Sequence, residues 1–149
     1  MTELLHLLAT DSSELATVSA LVQDMTVKAG EAGWRPRQRR LVLLGNRFRW
    51  EAPDPPTRVR TALRFEHVLK VERREWPDEP HAVLPLLAIA PEPADGPDAP
   101  PRLLLSFGGG AALRLTVEAI DLLLEDIAGP WGAQAVPDHR LDEADSSSD

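Results

Sequence analysis

The sequence predicts an α+β fold: a bent antiparallel sheet of about seven strands, with one helix near the N-terminus and a second closing the C-terminal end. Three observations predict it. Between Arg102 and Val117, apolar residues alternate in two runs separated by Gly108-Gly109-Gly110, the pattern of a β-hairpin whose turn needs positive φ. Directly after it, Val117, Ile120, Leu124 and Ile127 recur at helical spacing, with Leu123 beside them. Near the other end, Asp11 and Glu14 precede Leu15, Val18, Leu21, Val22 and Met25, which reads as a capped amphipathic helix over Asp11 to about Asp24.

The remaining elements follow in chain order. Leu4, Leu5, Leu7 and Leu8 suggest a short strand before the first helix. Met25 to Ala29 reads as extended, with Gly30 and Gly33 punctuating a turn. Arg40 to Glu51 is a strand pair or one bent strand, with Phe48 and Trp50 on one face and Arg47, Arg49 and Glu51 on the other. Gly45-Asn46 inside it is a turn or bulge signal. The proline-rich stretch Ala52 to Thr57 is a loop. Arg58 to Glu72 alternates cleanly, but as one strand it would span about 45 Å, so a bend is expected near His67. After a loop over Trp76 to His81, the apolar strand Ala82 to Ala90 contains Pro85, which removes a ladder donor and places the strand at an edge or a bulge. Pro91 to Pro101 is a flexible or polyproline-like connection. The closing helix is expected to stop at Gly129-Pro130. Residues 1–137 form a single α+β domain on this reading, and 138–149 an acidic, serine-rich disordered tail.

A chain of 149 residues can bury roughly two thirds of the surface that its unfolded form exposes. It has no cysteine, which excludes disulfides, a thiolate nucleophile and sulfur-ligated metal. The N-terminus has no basic leader, and no apolar run approaches the ~18 residues of a membrane span, so a cytoplasmic protein without membrane insertion is expected. The net charge of −8 is unevenly spread: Trp34 to Glu75 carries +7 and the rest −15. A basic stripe of this kind receives phosphate or an acidic partner, or simply lines the wet faces of amphipathic strands. The acidic total argues against nonspecific nucleic-acid binding.

No catalytic set emerges. His6, His67, His81 and His139 lack ligand spacing, so no metal or other cofactor is implied. Ser12, Ser13, Ser19 and Ser106 carry no nucleophile-elbow motif, and the three glycines are not followed by the lysine of a phosphate loop. Glu118 and Asp121 would be neighbours on a helix, the basis of an alternative reading as a small enzyme or a ligand-binding pocket; their place in a first helical turn also suits the dipole. The binding candidates are Asn46, Arg47, Arg49 and Trp50, with Arg58, Arg60 and Arg64 on the next strand. Arginine supplies bidentate contacts and tryptophan area, although sharing a face with Phe48 also suits Trp50 to the core. The expected partner is an acidic protein or peptide. A homodimer would cover the second face of Ala82 to Ala90.

Several strings carry a resemblance: Leu21 to Lys28, Arg39 to Glu51, Ala62 to Val71, Leu84 to Ala90, and Leu105 to Ile127 with Gly129-Pro130-Trp131. Through them the chain, from about Leu4 to His139, resembles a family of short bacterial, mainly alphaproteobacterial, cytoplasmic proteins known as a domain of unknown function. That resemblance implies a compact domain with no assigned activity, cofactor or catalytic residue. The strand-then-terminal-helix plan is separately similar to the partly open pleckstrin-homology-like barrel, in which a final helix plugs one end. The early helix departs from that plan, as does the absence of tryptophan from the last one. The resulting functional reading is a non-catalytic binding or adaptor domain.

Overall fold

The structure, a computed structural model, describes residues 4–132; the expected tail over 138–149 and His139 lie outside the described residues. Strand β1 (His6–Ala9) leads into helix α1 (Ser12–Leu21). The strands that follow are β2 (Met25–Arg35), β3 (Arg40–Phe48), β4 (Thr57–Phe65), β5 (Val68–Arg74), β6 (Val83–Glu92), β7 (Arg102–Phe107), β8 (Ala112–Val117) and β9 (Leu122–Gly132). They form one nine-stranded open sheet in the order β1-β9-β4-β3-β2-β6-β7-β8-β5, antiparallel throughout.

This corrects the expected α+β plan. Among the described residues no helix closes the C-terminal end, and the pleckstrin-homology-like barrel that such a helix would plug is not formed. Residues Leu122–Gly132 are instead a strand between β1 and β4, with Leu122 opposite Phe65 and Leu124 opposite Leu63. The apolar run Leu122-Leu123-Leu124 satisfies both periods, so spacing alone does not choose between helix and strand. Two ladders choose. As a strand, the segment pairs with β4 on one side and β1 on the other, whereas a helix would leave the facing edges of both without a partner.

The core fills the inner face of the sheet. Leu41, Leu43, Leu63, Phe65, Leu122 and Leu124 meet residues from β7 and β8 such as Leu105, Leu113 and Leu115, and α1 adds Leu15 and Val18. Helix α1 forms where expected but ends earlier, at Leu21. Asp11 accepts the Glu14 N–H at 2.8 Å and so caps the first turn, and Glu14 Oε1 accepts the N–H of Thr10, just ahead of the cap, at 2.9 Å. The chain turns between β4 and β5 at Glu66-His67, where His67 has φ of 59°, so the long alternating run divides at the expected place.

Two turn signals have other roles. Gly30 and Gly33 lie within β2, which continues to Arg35 through a register shift between Val27 and Ala32. Gly45 lies inside the continuous strand β3, where an added Cβ would strike the Thr26 carbonyl oxygen and come within 2.7 Å of Met25 Cε. Pro85 stands in β6, an interior strand between β2 and β7, at the point where pairing with β7 stops. Leu86 is opposite Phe107, and Pro85 lies beside Gly108, where a Cβ would approach the ring to 2.7 Å. A register shift follows between Leu86 and Ala88.

Beyond Leu86, β6 has no β2 partner, and the Ile89 N–H donates to Ser19 Oγ of α1 at 2.9 Å. Replacing Ser19 with alanine leaves that donor unmet and is expected to lower stability by about 1 kcal/mol. Urea unfolding measures it, and protection of the Ile89 amide from hydrogen exchange is expected to fall with it.

Candidate functional site

Alternation along β3, β4 and β9 sends Arg47, Thr61 and Asp126 to the inner face, at the end of the core near the start of β1. The Arg47 and Asp126 side chains are both 0% exposed. Arg47 Nε donates to Asp126 Oδ1 at 2.9 Å, and Nη2 donates to Asp126 Oδ2 at 2.7 Å, a bidentate pair. Nη1 and Nη2 also donate to the two oxygens of Glu51, at 2.9 and 2.7 Å, and Nη1 reaches the Phe48 carbonyl at 3.2 Å. Asp126 further accepts from Thr61 Oγ1 at 2.7 Å and from the Leu5 N–H at 2.9 Å.

Burial on its own pushes the Asp126 carboxyl up. The hydrogen bonds from Arg47, Leu5 and Thr61, with the charge of Arg47, outweigh burial and hold it below its ordinary value. Glu51 is held down in the same balance, burial opposing Arg47 and Arg49. Burial lowers Arg47, but its two carboxylates dominate and raise it. A guanidinium so fully engaged has no donor left for a ligand. The Arg47–Asp126 pair therefore ties three strands and the start of β1 together.

The other expected binding residues divide by exposure. Asn46 and Arg58 are buried, and Arg58 Nη1 donates to the Asn46 carbonyl at 3.1 Å. Trp50 packs edge-on against Phe48 with centroids 4.8 Å apart, and its Nε1 donates to the Gln23 carbonyl at 2.9 Å. Arg49 donates to Thr57 Oγ1 at 3.3 Å, and Arg60 pairs with Glu31 at 2.6 Å. Arg64 is the most open of the seven, with its side chain 43% exposed.

Arg64 belongs to a surface that reading along the chain did not assemble. On the outer face of β3, β4 and β9, a hollow of about 340 Å³ is lined by Arg35, Gln38, Arg40, Val42, Ala62, Arg64, Leu123 and Glu125. Glu66 sets two of these guanidiniums: Arg40 Nε donates to it at 2.9 Å, and Arg64 Nε lies 2.9 Å from the same oxygen. The Nη groups of both have no partner among the described residues. Leu123 extends the apolar floor toward Leu8, its β1 partner, which is 57% exposed. The signal in the sequence was the spacing Arg40, Val42 on one strand and Ala62, Arg64, Glu66 on the next. Only the register brings them together.

Glu118 and Asp121 lie in the turn between β8 and β9, not on a helix. Glu118 binds Arg39 at 2.8 Å and Asp121 lies 3.2 Å from His67, so each carboxylate faces a different base. Among the described residues no three His, Asp or Glu side chains group to hold a metal, and no helix is long and apolar enough to cross a membrane. A family model described as a protein of unknown function, DUF2948, matches residues 5–139, and the chain belongs to that family. No curated protein and no solved structure matches it.

Proposed function

We propose that this member of the DUF2948 family is a non-catalytic binding domain that works in the cytoplasm and holds an acidic partner segment on the outer face of β3, β4 and β9. One observation carries the reading: Glu66 accepts from Arg40 Nε and stands at ion-pair distance from Arg64 Nε, so both guanidiniums are held in a hollow shared with Val42, Ala62 and Leu123. Guanidiniums oriented in advance lose less freedom on binding a carboxylate, and the apolar floor adds contact area. Arg35, opposite Arg40 in the register, adds a third cation to the same hollow. An acidic peptide with interspersed leucines matches both features.

A fluorescently labelled peptide of alternating Glu, Asp and Leu tests this by anisotropy, with its Gln/Asn counterpart as control. The double variant R40E/R64E is expected to weaken binding of the acidic peptide at least tenfold, and rising salt to weaken binding to the parent chain. The same affinity for parent and variant, or for acidic and neutral peptides, would overturn the proposal.

A further inference from the structure

The curl of the sheet brings its end strand β5 close to β2 and β3; at one end of this seam the Val68 N–H donates to the Arg39 carbonyl at 2.9 Å. Farther along, the seam opens into a cleft of about 560 Å³, within the range of small-molecule sites. Its depth is apolar. Trp34 of β2 and Trp76 of the loop after β5 line it, and Leu41, Val71 and Leu113 continue the surface toward the core.

The loop wall is formed in advance of any ligand. Trp76 Nε1 donates to the Ala29 carbonyl at 3.3 Å, and its ring meets Phe107 edge-on at 5.1 Å. The Gly30 N–H donates to the Pro80 carbonyl at 2.9 Å, where a Cβ on residue 30 would come within 2.8 Å of the proline ring.

Two opposite charges stand in this lining. Arg73 pairs with Leu113 across the β5–β8 ladder, which turns its side chain to the inner side of an end strand. Asp78 lies in the loop wall. Neither has a hydrogen-bond or ion-pair partner among the described residues, and they do not pair with each other. An inward charge on an end strand also discourages edge-to-edge association, but that role calls for neither Asp78 nor two tryptophans.

We propose that this cleft binds a free α-amino acid with an apolar or aromatic side chain: Arg73 takes the carboxylate, Asp78 the ammonium, and the Trp34–Trp76 depth the side chain. A zwitterion answers both charges at once, whereas a singly charged ligand engages only one of them. The site uses none of the arginines of the outer face, so it stands or falls independently of the acidic-partner proposal.

The test is a titration of the full chain with L-phenylalanine, followed by the indole N–H resonances and assigned through single Trp-to-Phe variants. The Trp34 and Trp76 signals are expected to move saturably while that of Trp50 stays in place. N-acetyl-phenylalanine lacks the ammonium and phenylalanine methyl ester lacks the carboxylate, and each is expected to bind at least tenfold more weakly. R73Q is expected to abolish the distinction between the amino acid and its ester. D78N is expected to abolish the distinction between the amino acid and its N-acetyl form. Both residues are exposed, so neither change is expected to disturb the fold, and an unmoved Trp50 signal confirms it. Absence of a saturable shift at millimolar ligand, or equal affinity for all three compounds, would overturn the proposal.

Discussion

Replacing Asp126 with alanine is expected to lower the unfolding free energy by about 3–5 kcal/mol, the loss typical when one partner of a buried ion pair is removed. The physical reason is what remains. Arg47 keeps its charge and its complete burial, with only the partly exposed Glu51 to answer it. The Leu5 N–H and Thr61 hydroxyl also lose their acceptor, which loosens β1 from β9. Asp126→Asn is expected to lose less, because the amide oxygen still accepts from Leu5. Pairing Asp126→Ala with Arg47→Met removes the stranded charge, so the two losses should fall short of additivity by about 1–3 kcal/mol. Urea unfolding of the four proteins of this cycle measures it, and simple additivity would count against the pair.

The same network sets an acid limit on stability. Asp126 and Glu51 both titrate below their ordinary values of 3.8 and 4.5 when folded. A carboxylate depressed by folding contributes stability that is complete above its unfolded value and is lost as pH falls through the lower folded one. Stability should therefore be level with respect to these two groups above about pH 5 and decline from about pH 4 downward. Asp126→Asn should flatten part of that decline. An unchanged acid profile in the variant would exclude Asp126 as a contributor.

Gly45→Val is the second large effect, a loss of about 3 kcal/mol or more. The added Cβ meets the Thr26 carbonyl oxygen and comes within 2.7 Å of Met25 Cε. The methionine can give way, but the backbone of a paired strand cannot move without breaking the β2–β3 ladder. Gly45→Ala should already be costly. Adding Met25→Ala should relieve little of it, because the backbone contact remains. A Gly45→Ala protein within about 1 kcal/mol of the parent in urea would mean that β2 shifts freely.

Gly45 also shows how a correct signal can be given the wrong cause. Glycine beside asparagine was legible as an exceptional backbone position, but a turn and a close strand approach both call for a missing side chain. Arg47 is a similar case. Arginine on an alternating strand ordinarily faces water, and nothing near it in the chain announces Asp126, which lies 79 residues away. Asp126 is in phase with Leu122 and Leu124 once the segment is read as a strand, so a buried acid was accessible from that pattern. The helical spacing of Val117, Ile120, Leu124 and Ile127 concealed it.

The elements determined by the sequence alone are those whose causes are local. Asp11 starts a helix because it accepts one of the first helical N–H groups, while Glu14 reaches back to the Thr10 N–H ahead of the cap; Leu103, Leu105 and Phe107 before three glycines make a hairpin; the run after Arg58 must break near His67 because no small sheet accommodates its full length. Only the tertiary structure decided that Leu122–Gly132 is a strand, that Arg47 and Arg58 lie inside while Arg40 and Arg64 share the outer face, and that Trp34 and Trp76 face one cleft. Each of those outcomes depends on which distant strand supplies the neighbouring ladder. A one-residue change of register would send every side chain of the strand to the opposite face.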